Sequence, residues 1–76
     1  MTKLKQMRVQ AGLSQSQLAK AANMNVRTLQ HYEQATKPFD RAHLDTIARV
    51  CLVLQCRIED ILEDPEYVAL IKKLPR

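Results

Sequence analysis

Arg27, Thr28, Gln30 and His31 fall within five residues, and all can hydrogen-bond to something outside the chain. Arginine offers a planar fork of donors, a glutamine amide sets a donor beside an acceptor, and histidine adds a ring nitrogen of either kind. Three or four residues apart on a helix, such groups share one face. This is recognition chemistry rather than bond-making chemistry. The sequence has no Ser/His/Asp set with an orienting partner, no glycine-rich phosphate loop and no Cys-x2-Cys metal spacing. No catalytic residue, metal or cofactor is expected.

Such residues work only on a rigid frame, and the flanking sequence supplies one. Ser14 and Gln17 form a capping box, in which the hydroxyl accepts from the Gln17 backbone and the Gln17 side chain reaches back. The helix so started runs to about residue 21 or 22. Leu18 and Ala22 face inward, and Ala19 is small enough for close packing. Asn23 suits a left-handed turn. Met24 plugs that turn, and Asn25 caps a third helix over residues 26–34 with Leu29 and part of Tyr32 inward. Two short helices and a tight turn make a helix-turn-helix.

The remainder reads as support. Thr2 caps a first helix to about residue 11, with Leu4, Met7 and Ala11 as its apolar stripe, and Gly12 ends it. Residues 35–39 form a loop, because Pro38 forbids helix and biases Lys37 toward extended backbone. Asp40 is expected to cap a fourth helix over residues 41–54, with Leu44, Ile47, Cys51 and Leu54 as its core stripe. Leu52 and Val53 fall off that stripe. A short fifth helix is expected over residues 57–62, burying Ile58, Ile61 and Leu62. Asp64-Pro65-Glu66 then starts a sixth, with Tyr67, Leu70, Ile71 and Leu74 along one side. The fold expected is all-α: a domain over residues 1–63 and an amphipathic helix over 64–76.

Seventy-six residues make one small domain with only a few kcal/mol of stability in reserve. No apolar run reaches the ~18 residues of a membrane span, and the polar start lacks a signal core, so a cytoplasmic protein is expected. Cys51 reads as a small core residue; Cys56 is less determined, and scattered Cys51, Cys56 and His43 do not make a metal site. The net charge is +4, unevenly spread. Residues 1–37 carry six cations against Glu33 alone, whereas residues 38–76 carry six cations against seven anions. A basic front half suits a polyanion, although a small excess of Lys and Arg also serves solubility.

The string Gly12-Leu13-Ser14-Gln15-x-x-Leu18-Ala19, followed by Met24-Asn25-x-Arg27-Thr28-Leu29-x-x-Tyr32-Glu33, resembles the phage Cro and repressor family, also called the xenobiotic response element family. Leu54-x-Cys56-x-Ile58-x-Asp60-Ile61-Leu62 extends the resemblance, which covers about residues 2–63. It implies a five-helix domain that binds operator DNA, usually as a dimer, with the third helix in the major groove. It also implies that Gln15 touches a phosphate, that Val26, Arg27, Gln30 and His31 face base edges or nearby backbone, and that Arg8 pairs with Glu33. Two departures stand out. Ala35 and Gln55 occupy positions where the family commonly has glycine. Left-handed alanine costs about 1 kcal/mol, so the loop at Ala35 is expected to take a different path.

Each candidate has a plainer alternative. Arg27 reads a guanine edge, clamps a phosphate or is solvated. Gln30 reads adenine or sits over the backbone; His31 donates to a base or phosphate or is simply exposed. Thr28 touches a phosphate or a thymine methyl, or packs against the second helix; Val26 contacts a thymine methyl or fills the turn; and Lys37 is a phosphate contact. Leu52, Val53, Tyr67, Leu70, Ile71 and Leu74 are candidate homodimer contacts; alternatively the last helix folds back on its own domain. The expected partner is double-stranded DNA, with no membrane partner. The competing function is a protein-interaction adaptor or antitoxin-like partner that grips another protein through the apolar C-terminal helix.

Overall fold

The computed structural model describes residues 1–75. Among them are five α-helices and no strand: α1 (Lys3–Gln10), α2 (Gln15–Ala21), α3 (Val26–Glu33), α4 (Leu44–Leu54) and α5 (Pro65–Lys72). Single 3-10 turns at Phe39–Arg41 and Ile58–Asp60 join the last three. The local starts follow the sequence. Thr2 accepts from the Lys5 backbone, Ser14 and Gln17 form the reciprocal capping box, Asn25 accepts from Arg27, and Asp64 accepts from Glu66 ahead of α5.

Helices α1 to α4 end the same way. A left-handed residue closes each: Gly12, Asn23 and Ala35, second after their helices, and Gln55, directly after its helix, with φ of 74°, 53°, 60° and 52°. The next residue's N–H then returns to a carbonyl five positions back: Leu13 to Arg8, Met24 to Ala19, Thr36 to His31 and Cys56 to Cys51. This is the Schellman ending, which satisfies carbonyls the helix leaves open. The expectation of a different path at Ala35 is therefore overturned. The chain keeps the left-handed path and carries the strain, because Ala35 closes the turn that returns Phe39 to the core.

The core lies where α1 to α4 meet the Ile58–Asp60 turn. Leu4, Leu18, Leu29, Val50 and Ile61 are fully buried in it, with Ala19, Ala22, Phe39, Ile47, Cys51 and Leu54 around them. Tyr32 and Phe39 meet edge to face, centroids 5.1 Å apart, which pins the loop after α3.

Four expectations need correction. Residues 57–62 do not form an α-helix, so the α-helices number five and the C-terminal one is α5. The six residues lie between left-handed Gln55 and the extended Asp64 that Pro65 favours, too few to nucleate an α-helix. They make one 3-10 turn, with Asp60 accepting from the Arg57 backbone at 2.9 Å. Asp40 does not cap the fourth helix. It lies in the earlier 3-10 turn and accepts from the backbones of Glu63 and Asp64, and α4 starts after His43, which makes no side-chain cap. Leu44, being the first residue of that later helix, is 73% exposed instead of buried. The stripe is Ile47, Val50, Cys51 and Leu54, spaced i, i+3, i+4, i+7. On α1, Ala11 is exposed, and the buried position one turn after Leu4 belongs to Arg8.

Candidate nucleic-acid interface

The first turn of α3 begins at Val26, and Asn25 fixes it by accepting from the Arg27 backbone at 2.7 Å. Val26 and Arg27 therefore stand at the exposed front of the helix. The Arg27 guanidinium makes no hydrogen bond among the described residues and is not tied down by the fold. Leu29 is fully buried and Thr28 half-buried beside it, so the helix is anchored on the side away from Arg27.

Beneath α3 lies a buried ion pair. Arg8 Nε donates to Glu33 Oε2 at 2.7 Å, and its Nη2 to Oε1 at 3.0 Å, a two-pronged contact. Arg8 Nη1 donates to the Leu13 carbonyl at 2.8 Å. The side chains are 10% and 2% exposed. A charge this deep is tolerated only when paired and fully hydrogen-bonded. The pair fixes α1 against α3.

Gln15, at the start of α2, continues the network. Its Nε2 donates to Glu33 Oε1 at 3.0 Å, and its Oε1 accepts from Gln30 Nε2 at 3.4 Å. The half-buried Gln15 and Gln30 thus stand side by side on the face shared by α2 and α3. His31 is exposed, and its Nδ1 lies 3.0 Å from the Thr36 hydroxyl, which itself donates to the His31 carbonyl at 3.1 Å. The hydroxyl has one hydrogen, so His31 Nδ1–H is the donor and Nε2 is the nitrogen left for an outside partner. Lys37 is exposed in the loop beyond α3.

The structure thus brings Gln15, Val26, Arg27, Gln30 and His31 onto neighbouring turns, with Thr28 inside them and Lys37 beyond. The link from Glu33 through Gln15 to Gln30 is not readable from the sequence. Only polar side chains near both ends of a helix-turn-helix hint at it. Arg49 is a second such residue: its Nε donates to the Ala22 carbonyl at 2.8 Å and its Nη1 to Asp45 at 2.8 Å, clasping the end of α2 to α4. That hydrogen bond from Arg49 lowers the Asp45 pKa.

The candidate dimer residues divide. Val53 is half-buried against the core, and Tyr67 and Ile71 are half-buried as α5 folds back onto the Ile58–Asp60 turn. Leu52, Leu70 and Leu74 are 76%, 60% and 55% exposed. Cys51 and Cys56 pack against each other across the end of α4. Burial pushes the Cys51 thiol up to about 12, with Cys56 adding to it, and burial raises Cys56 also. No described helix is long and apolar enough to cross a membrane.

A helix capped by Asn25, set against a second helix through a left-handed turn, with exposed polar groups at its front, defines a helix-turn-helix. The chain belongs to the Cro/C1-type helix-turn-helix DNA-binding domain family, whose model matches residues 3–66. No curated protein and no solved structure matches the chain. Double-stranded DNA is the partner that family membership supports.

Proposed function

We propose that the chain is a sequence-specific DNA-binding transcriptional regulator that lays α3 in the major groove. The observation that carries this reading is the exposed, unengaged Arg27 at the capped front of α3. The major groove, about 12 Å wide, admits one helix, and residues at the helix start reach the base edges. Arg27 is assigned to a guanine edge and Gln30 to an adenine edge. His31 meets a base or phosphate, Val26 and Thr28 pack against sugar or a thymine methyl, and Lys37 neutralises a phosphate. Gln15 keeps one amide hydrogen for a phosphate while the other serves Glu33.

A two-fold homodimer would set its two α3 helices about one DNA turn, ~34 Å, apart. Exposed Leu52, Leu70 and Leu74 supply the apolar contact for such a homodimer. The same leucines favour a second reading, in which α5 grips a different protein as an adaptor or antitoxin would. Sedimentation separates the two: Leu70→Asp converts a dimer to monomer in the first case, whereas in the second the wild-type chain is already monomeric.

Substitution tests the recognition roles. Arg27→Ala flattens base preference at one position of the site, whereas Lys37→Ala weakens all duplexes alike and lowers the salt slope by about one. An unchanged preference in Arg27→Ala rejects the base-reading role.

A further inference from the structure

A cleft of about 370 Å³ opens where the start of α1, the loop after α3 and the start of α5 meet. Small-molecule sites span about 300–1,000 Å³, so the cleft is large enough for one. Leu4, Ile61 and the aromatic residues Tyr32, Phe39 and Tyr67 line it. Leu4 and Ile61 are fully buried, so the cleft reaches down to the core. Tyr67 lies beyond the matched residues 3–66, so one wall comes from outside the shared domain.

The charged residues of the rim are Lys37, Asp40, Arg41, Glu63 and Asp64. The three carboxylates are committed to backbone. Asp40 accepts from the Glu63 and Asp64 N–H groups at 2.9 and 2.7 Å. Glu63 accepts from the Lys3 N–H, and Asp64 from the Glu66 N–H at 2.9 Å. Lys3 and Glu66 stand in the first turns of α1 and α5, so the positive ends of both helices offset these acids. The two cations are not committed. Lys37 and Arg41 are exposed, and their side chains make no hydrogen bond or ion pair among the described residues. The charge still to be met at this rim is positive.

We propose that the cleft binds a planar aromatic carboxylate, its ring among Tyr32, Phe39 and Tyr67 and its carboxylate against Lys37 and Arg41. Flat rings pack offset or edge to face against aromatic side chains. A carboxylate takes charge-assisted hydrogen bonds from an ammonium and a guanidinium. A cationic ligand meets two like charges and three carboxylates that already accept. A neutral ring gains the apolar floor and leaves both cations unpaired. The ligand site does not depend on DNA binding. Its consequence does rest on the DNA-binding reading: Lys37, assigned there to a phosphate, serves one anion at a time. Ligand and duplex then oppose each other, each weakening the other by the same factor.

The probe is 2-naphthoate, titrated into the full chain and followed by NMR, beside 2-naphthamide and 2-naphthylmethylammonium. Saturable shifts are expected at Leu4, Tyr32, Ile61 and Tyr67. Naphthoate is expected to bind about tenfold more tightly than the amide, within reach of two exposed ion pairs. In the double variant Lys37→Gln with Arg41→Gln, that ratio falls to about one while the amide affinity holds. Both positions are exposed, and melting temperature checks that the fold is kept. Equal binding of naphthoate and amide to wild type, tighter binding of the ammonium, or an unchanged ratio in the double variant overturns the proposal. So do shifts confined to the exposed Leu52 and Leu70, or no saturable shift with naphthoate at several millimolar. For the coupling, saturating naphthoate weakens a selected duplex by at least the factor that Lys37→Gln produces. Unchanged duplex affinity with the cleft occupied overturns the coupling. A wild type that selects no duplex removes the DNA-binding reading and the coupling together, and the ligand site is then decided by the NMR titration.

Discussion

Arg8 and Glu33 carry the largest single risk in the molecule. Removing one partner leaves a buried charge without compensation, which costs about 3–5 kcal/mol. A domain of this size holds only about that much in total. Arg8→Ala is therefore expected to be largely unfolded at room temperature by circular dichroism. The paired substitution Arg8→Met with Glu33→Leu is expected to fold, because apolar replacement of both partners removes the desolvation cost as well. Cys51 makes a smaller, pH-dependent contribution. Its thiol stays neutral in the fold to about 12, against an ordinary value of 9.0. The folded-state pKa is raised, so the contribution is complete below about pH 9 and is lost as pH climbs toward 12. Urea melts at about pH 8 and pH 10.5 should show a larger loss for wild type than for Cys51→Ala. An equal loss would assign the alkaline sensitivity to other groups.

Among the elements, the helix ends are most informative. Four Schellman turns share one geometry, and only one has glycine in the left-handed place. Left-handed backbone costs a side-chain-bearing residue about 1–2 kcal/mol, while glycine adds about 0.4–1 kcal/mol of unfolded-state entropy. Ala35→Gly and Gln55→Gly should each raise stability by about 0.5–1 kcal/mol, read as a higher urea midpoint at unchanged slope. A lower midpoint would mean that the flanking hydrogen bonds, not the residue, set the turn. Asp40 joins two elements far apart in sequence, accepting from Glu63 and Asp64 just before α5. Asp40→Ala should free α5 and speed amide exchange over residues 66–72 more than in α2 or α3. Uniform exchange would contradict that anchoring role. The α2-turn-α3 unit is legible in the sequence because its signals are local: a capping box, Asn23, Asn25 and the spacing of Leu18 and Leu29. The start of α4 is not, because Asp40 looks like a cap and its true partners lie more than twenty residues away. Arg8 escapes the apolar stripe of α1 because its burial depends on Glu33 and Leu13, not on its own neighbours. Ala35 misleads for a related reason: the turn is imposed by tertiary closure of Phe39 onto Tyr32, which outweighs local preference.

At the scale of the whole molecule, charge and shape act together. The ion pair takes Arg8 and Glu33 out of the surface balance, so residues 1–37 keep exposed Lys20, Arg27 and Lys37 with no other acid in that half to oppose them. Exposed leucines lie instead in the second half, in α4 and at the end of the chain. One part of the molecule is suited to a polyanion and another to an apolar partner. The network beneath α3 links the core to the first: the Glu33 carboxylate that holds α1 to α3 also accepts from Gln15. The most direct test of the central claim, sequence-specific DNA recognition through α3, is selection of bound duplexes from a fully random pool by the wild-type chain. The account predicts a palindromic site whose half-sites lie about one helical turn apart, ~34 Å, each with a guanine for Arg27. Failure to enrich any sequence over the starting pool would contradict it.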